Sequence, residues 1–333
     1  MRSTEPLVSS STDSPCEVRH LSKRYGEHTV VDDLTFSIPR NHVVGLIGPN
    51  GAGKTTTMKM LLGLVRPTGG DISLLGRTLG EPRWGDVLKR VGSMIEAPPI
   101  YDRLSARQNL QYQSLAVSGS VDDDQVDELL RVVDLAPRAD DRPRGYSLGM
   151  RQRLGIAITL VGQPELVILD EPGNGLDPAG IIEIRNLMAR LPENGTTVLV
   201  SSHQLAEIQQ ACDQLIILAN GRTVAQGTTT EILSGRSQHT FHVTVDDNET
   251  RPTAEALSSA GLAVTERIDT TFVIEPPLEV GGRDLNRLLA EAGVYASAIN
   301  QPVASLEDAF LELVQQPDHT KKHTNTTQEV APS

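Results

Sequence analysis

The segment Gly48-Pro49-Asn50-Gly51-Ala52-Gly53-Lys54-Thr55 fits the pattern G-x-x-x-x-G-K-[ST] and lies between a strand-like run, His42 to Ile47, and a helix-like one, Thr56 to Leu64. In that context the segment reads as a phosphate-binding loop. Glycines let backbone N–H groups turn inward on α- and β-phosphates, and the following helix presents its positive N-terminal end to them. The nucleotide-contacting set is then Gly48, Pro49, Asn50, Gly51, Ala52, Gly53, Lys54, Thr55 and Thr56. Lys54 would pair with β/γ oxygens, and Thr55 would place its hydroxyl on Mg²⁺. Taken alone, the same residues also suit an ordinary glycine-rich turn with a surface lysine.

Beyond the loop, apolar segments alternate with amphipathic ones, the pattern of a parallel sheet with helices on its faces. Leu166-Val167-Ile168-Leu169 and Thr197-Val198-Leu199-Val200 are continuous apolar runs, as strands buried on both faces require. Ligands gather at the carboxyl ends of such strands. Asp170 and Glu171 follow the first run. Asp170 can hold Mg²⁺ through its water shell, and Glu171 can orient and polarise an attacking water. A solvated carboxylate pair entering a turn at Pro172 is the alternative for this segment in isolation. Asn174-Gly175-Leu176-Asp177-Pro178 comes next, and Ser201-Ser202-His203 ends the second run, where an imidazole could reach a γ-phosphate.

Upstream, Tyr146 to Gln152 leads into a helix with Leu154, Ala157, Ile158 and Val161 on one face. Ser147 reads as an N-cap and Gly149 as a turn residue, or the two form a second anion site at the helix N-terminus. One nucleotide does not need two such sites from one chain. A head-to-tail dimer, with each phosphate loop facing the Ser147 segment of the other copy, accounts for both.

The 333 residues suffice for one large or two medium domains. No run of 18 apolar residues occurs, so no membrane span is expected. Met1 to Pro15 is rich in Ser, Thr and Pro without an apolar stretch, and reads as a tail rather than an export signal. Cys16 and Cys212 match no metal or redox spacing, which suits a reducing cytosolic setting. A net charge of −13 with 3% aromatic residues disfavours nucleic-acid binding.

From Cys16 to Arg236 the chain resembles the nucleotide-binding subunit of ATP-binding-cassette (ABC) transporters. Gly48 to Thr55 looks like the Walker A loop, Ser147 to Gln152 like the signature, and Leu166 to Asp170 like Walker B. Glu171 matches the catalytic glutamate, Asn174 to Asp177 the D-loop, and His203 the switch histidine. Tyr25, in Lys23-Arg24-Tyr25-Gly26, matches the aromatic that stacks on adenine; by itself it reads as a core or surface aromatic. The resemblance implies an α/β P-loop NTPase cassette, a mostly parallel sheet with a helical subdomain. It further implies Mg²⁺ and ATP, a second ATP-binding chain as a homodimer, and a separate transmembrane permease. The chain would then sit in the cytoplasm, peripherally on the inner face of the cell membrane.

Two departures stand out. The family's usual signature is Leu-Ser-Gly-Gly-Gln, whereas Leu148 here takes the place of a glycine. Where the family carries its Q-loop glutamine, Ser93-Met94-Ile95-Glu96-Ala97-Pro98-Pro99 offers Glu96, which when ionised accepts hydrogen bonds and donates none. Glu96 could face Mg²⁺ or its waters, or merely join a loop. Both departures resemble a branch of exporter ATPases linked to bacitracin, lantibiotic and related antibiotic resistance. The expected function is therefore ATP hydrolysis driving export through a separate permease. A soluble non-transport ABC ATPase and a non-hydrolysing ATP sensor are the alternatives.

Ser105 with Gln108 suggests a capping box, and Val126, Leu129, Leu130 and Val133 recur at helical spacing, a stripe expected to self-pack. The permease contact is then expected on the loop Glu96 to Leu104. A linker is expected from Ser234 to His239. Beyond it, strand, helix, two paired strands, helix and strand (Val294 to Ile299) would make a small α+β domain over 237–316, with ferredoxin-like order. Ser305 with Asp308 would start a last amphipathic helix through Leu306, Phe310 and Leu313. Residues 238–316 hold 13 acidic and 4 basic side chains, −9 of the net −13, so anionic lipid would repel this lobe. It reads as a regulatory or dimer-supporting appendage, followed by a disordered tail over 317–333.

Overall fold

The computed structural model describes residues 14–234, 240–277, 279–301 and 306–315. The chain opens with an antiparallel hairpin, β1 (Cys16–Tyr25) and β2 (His28–Ile38), then runs through β3 (Val43–Ile47) into α1 (Lys54–Leu61). Strands β4 (Gly69–Leu74) and β5 (Arg77–Thr78) extend the hairpin into an antiparallel layer ordered β2-β1-β4-β5. After α2 (Trp84–Leu88) and β6 (Val91–Met94) come three helices, α3 (Ala106–Ser118), α4 (Asp123–Val132) and α5 (Leu148–Leu160). Then follow β7 (Leu166–Asp170), α6 (Pro178–Arg190), β8 (Thr197–Ser202), α7 (Leu205–Ala211), β9 (Gln214–Ala219), β10 (Arg222–Thr228) and α8 (Thr229–Ser234). The second sheet is ordered β10-β9-β3-β8-β7-β6, all parallel except β10.

Every residue of β3, β7 and β8 is buried, because this sheet is covered on both faces. Val43, Ile47, Val167, Leu169, Val198 and Val200 point into a core shared with α3, α4, α5 and α6. Their neighbours Val44, Leu46, Leu166, Ile168 and Leu199 point into a second core beneath α1 and the antiparallel layer. The apolar stripe Val126, Leu129, Leu130 and Val133 lies in the first core, so it packs within the chain. Ser105 caps α3 with the full reciprocal box to Gln108. Between β9 and β10 a two-residue turn has φ 50° at Asn220 and 76° at Gly221, the doubly positive geometry of tight hairpins. The Gly221 carbonyl accepts from the Asp32 N–H (2.9 Å), and Arg222 grips Asp32 through two nitrogens, so this turn ties the sheets together.

Helix α1 differs from its sequence expectation at both ends. It starts at Lys54, because Gly53 (φ 96°) is its N-cap. It stops at Leu61, because Gly63 (φ 72°) closes it: Gly63 N–H donates to Met60 O (3.0 Å) and Leu64 N–H to Lys59 O (2.9 Å). That is the Schellman pattern.

Beyond residue 239 the elements are β11 (Phe241–Thr244), α9 (Thr250–Ser259), β12 (Val264–Ile268), β13 (Thr271–Ile274), α10 (Gly282–Glu291) and β14 (Ala298–Asn300), in an antiparallel sheet ordered β12-β13-β11-β14. They enclose a core of their own around Phe241, Val243, Leu257, Phe272 and Leu285. The last strand is shorter than the expected Val294 to Ile299. Val294 instead donates its N–H to Leu289 O (2.9 Å) past Gly293 (φ 74°), closing α10. Helix α11 (Leu306–Gln315) buries Leu306 in the first core, with Phe310 and Leu313 packed against it. The expected linker core 235–239, the Ser305 cap and the tails 1–13 and 317–333 lie outside the described residues. Among the described residues no helix is long and apolar enough to cross a membrane.

One close approach positions the site. A Cβ on Gly92 of β6 would lie 2.1 Å from Thr159 O in α5, and one on Gly155 of α5 would lie 2.8 Å from Met94 Sδ and from Pro98 Cβ. Gly92→Ala is expected to lower stability by about 1–3 kcal/mol through overpacking. Urea denaturation checks this against Gly145→Ala, whose Cβ meets nothing within 4 Å and should be near neutral.

Candidate nucleotide site

The loop from β3 to α1 needs glycine where its backbone is crowded. A Cβ on Gly48 would stand 2.6 Å from Leu218 O, and one on Gly53 would stand 2.9 Å from Val30 O. Lys54 folds back over the loop, its Nζ donating to Gly48 O (2.8 Å) and Pro49 O (3.3 Å). Burial holds its pKa below the usual lysine value, while the charges of Glu171 and Asp170 pull it back up. The first turn of α1 carries no acidic side chain, so its positive end is not neutralised there.

The carboxyl ends of β7 and β8 meet this loop. Asp170, 8% exposed, accepts from Thr55 Oγ1 through Oδ2 (2.9 Å) and from Ser201 Oγ through Oδ1 (2.6 Å). Asp170 and Ser201 are direct partners in the β7–β8 ladder, which aims both side chains at one place. Glu171 has φ 50°, a costly conformation for a non-glycine residue, and its N–H donates to Ser201 Oγ (3.0 Å) and Ser201 O (3.2 Å). Its Oε2 lies 2.7 Å from His203 Nδ1 and accepts the His203 backbone N–H at 3.3 Å. Thr55, Asp170, Glu171 and His203 thus form one connected group with Ser201 as the link, and Lys54 lies within the field of its two carboxylates.

The other candidates make contacts of their own. Ser147 caps α5, accepting from Met150 N–H (3.2 Å), and Asp177 caps α6, accepting from Gly180 N–H (2.9 Å). A Cβ on Gly149 would lie 3.8 Å from Leu176 Cδ2, and one on Gly175 would lie 3.1 Å from Leu148 Cδ2. The Ser147 and Asn174–Asp177 segments are therefore packed neighbours. Tyr25, at the end of β1, is 50% exposed with Lys23 Nζ 4.7 Å from its ring centre. Glu96 has φ 68° and its carboxylate is ion-paired with Lys59 of α1 (Nζ to Oε1, 2.5 Å).

Sequence reasoning missed Ser201 and Lys59 as parts of this arrangement. Aligning the two apolar runs so that their acidic and Ser-Ser-His ends coincide would have found Ser201. Lys59 stands one turn past Thr55 on the same helix face, a signal that gains meaning only with Glu96 in view.

Many known proteins are similar to this chain in sequence, and many solved structures are similar to it in shape. A family profile described as ABC transporter matches residues 31–174. The chain is similar to a bacitracin transport ATP-binding protein, BcrA, of Enterococcus faecalis, 38% identical over 301 residues, covering 90% of this chain and 96% of that one. A lantibiotic transport ATP-binding protein, SrtF, of Streptococcus pyogenes is 41% identical over 211 residues, covering 63% of this chain and 89% of that one. A solved structure of an ATP binding subunit of an ABC transporter superposes with a TM-score of 0.60 at 34% identity, covering 67% of this chain and 93% of that one.

Removing the linking hydroxyl tests the site's construction. Ser201→Ala leaves the buried Asp170 short of one donor and should cost about 1–3 kcal/mol of stability. Equilibrium unfolding of the free chain measures it, with Ser202→Ala as the neighbouring control.

Proposed function

The chain belongs to the ATP-binding subunits of ABC transporters, and from that premise we propose that it hydrolyses ATP to drive a separate permease in the export of an antibiotic or peptide. The observation that carries the hydrolytic part is the contact of Glu171 with His203 at 2.7 Å, beside the Thr55–Asp170 hydrogen bond. Relatives named for bacitracin and lantibiotic transport support the cargo class.

Thr55 and Asp170 are hard oxygen donors already side by side, which suits Mg²⁺, an ion that binds through one or two protein oxygens plus phosphates and waters. When bound, the ion supplies neutralisation of charge on the β- and γ-phosphate oxygens. Lys54 exchanges its bonds to Gly48 O and Pro49 O for phosphate oxygens, and the glycine-rich backbone and the N-terminal end of α1 bind the rest. Glu171 orients the attacking water and accepts hydrogen-bonding from it. His203 holds that carboxylate in one rotamer and presents the rest of its ring to the γ-phosphate. Tyr25 stacks on the adenine. Ser147 and Gly149 of a second copy, at the N-terminus of its α5, close the site over the phosphates, with Asp177 lining the same joint. The permease docks on the loop from Glu96 to Leu104.

Glu171→Gln should lower turnover by about 10²–10⁴-fold, the usual contribution of a positioned general base, while ATP still binds. Hydrolysis and nucleotide affinity measured on the same sample check this, and near-normal turnover removes Glu171 from the role. With hydrolysis blocked in this way, sedimentation should detect an ATP-dependent dimer that Ser147→Arg prevents without loss of monomer binding.

The transport part is tested in cells. Wild-type chain expressed with its membrane partner should raise tolerance to an amphipathic or lantibiotic-like antibiotic, and either chain alone should not. Lys54→Ala at equal expression should abolish the protection; protection that persists excludes ATP-driven export.

A further inference from the structure

We infer that Lys59 is a positioning residue for the nucleotide site, tying Glu96 into a neutral pair so that position 96 does not reach the phosphates and metal as a free carboxylate. The inference rests on the reading of this site as one for Mg·ATP.

Three observations converge on it. Lys59 follows Thr55 by four residues on α1, so the two share a helix face, and Thr55 is the residue bonded to Asp170. Glu96 leaves β6 two residues after Met94, the ladder partner of Leu169, which directly precedes Asp170. Both side chains thus approach the metal side of the site, one from the helix and one from the sheet, and they meet at 2.5 Å.

The backbone at Glu96 is shaped for this meeting. Ala97 N–H donates to Ile95 O (2.8 Å), a three-residue turn with Glu96 at its apex in a positive-φ conformation. Such a conformation persists only where the surroundings fix it. The fields at Lys59 agree with the geometry: its hydrogen bond to Glu96 foremost, with the charges of Glu96 and Asp170, holds its pKa above the usual lysine value against the opposing effect of burial. Its ammonium therefore rests on the Glu96 carboxylate within the field of Asp170.

The site already carries Asp170 and Glu171 and must accept an anionic nucleotide. A third, untethered carboxylate would add like charge at its edge. The pair cancels that charge and fixes where it sits, offering in place of a neutral amide a neutral couple that links α1 to the segment leading to Pro98 and Pro99.

The test is a double-mutant cycle of Lys59→Met and Glu96→Gln, read as affinity for Mg²⁺ plus a non-hydrolysable ATP analogue by calorimetry at low salt. Lys59→Met should weaken binding about threefold to fivefold more with Glu96 present than with Gln at 96, the range set for a largely exposed pair. Lys59→Arg should stay close to wild type, which separates loss of the pair from misfolding, and the excess effect should shrink as salt rises. Equal effects of Lys59→Met in both backgrounds would overturn the inference. Failure of the wild-type chain to bind the analogue would overturn the nucleotide reading and this inference with it.

Discussion

Asp170 is a nearly buried carboxylate, and a charge in that position is tolerable only with hydrogen-bond donors on it. Its two donors come from different parts of the fold, Thr55 from the first turn of α1 and Ser201 from the end of β8. Satisfying one charge therefore fixes the phosphate-loop helix against two parallel strands at once. Ser201 extends the constraint, because its Oγ also accepts the Glu171 N–H, and Glu171 in turn engages His203. Order along this chain of contacts decides where Thr55, Asp170, Glu171 and His203 lie. A change at any link moves the ones beyond it.

How much of this could be read beforehand follows from how local each feature is. The parallel strands were legible because burial on both faces turns them into unbroken apolar runs, as at Leu166 to Leu169. The box at Ser105 and Gln108, the Ser147 cap and the stripe through Val126 and Leu130 were legible because each is decided within a few residues. The antiparallel layer was not. Strand β1 has register breaks between Val18 and Leu21, with His20 at φ 51°, so its buried residues lose the period of two that identifies a half-buried strand. Ladder register placed Ser201 on Asp170, and a contact across 37 positions placed Lys59 on Glu96; neither leaves a mark in a local window. The side on which α11 packs is equally invisible, since an amphipathic stripe states that a helix is covered without stating by what.

Helix α11 illustrates a further consequence of packing. Leu306, Phe310 and Leu313 belong with the first core rather than with the core around Phe241, and Leu306 N–H donates to Gln209 Oε1 of α7 (3.1 Å). Helix α7 starts two residues after His203. The C-terminal end of the described chain is thereby in contact with the helix that continues from the end of β8, where His203 is mounted.

The two departures from the family pattern are each absorbed by a neighbour. Leu148 stands where a glycine is usual, and its Cδ2 lies over Gly175, a residue at φ 77° that could carry no side chain there without strain or crowding. The bulk added at one segment is thus accommodated by bareness at the other, and the two become a single packed unit. Glu96 stands where an amide is usual, and Lys59 cancels the charge it adds. Between these two places, Gly92 and Gly155 bring β6 and α5 into direct backbone and side-chain contact, so the Glu96 segment and the Ser147 helix share one rigid joint. Volume is balanced at one end of that joint and charge at the other, which is how a chain can alter two conspicuous positions and keep the geometry they border.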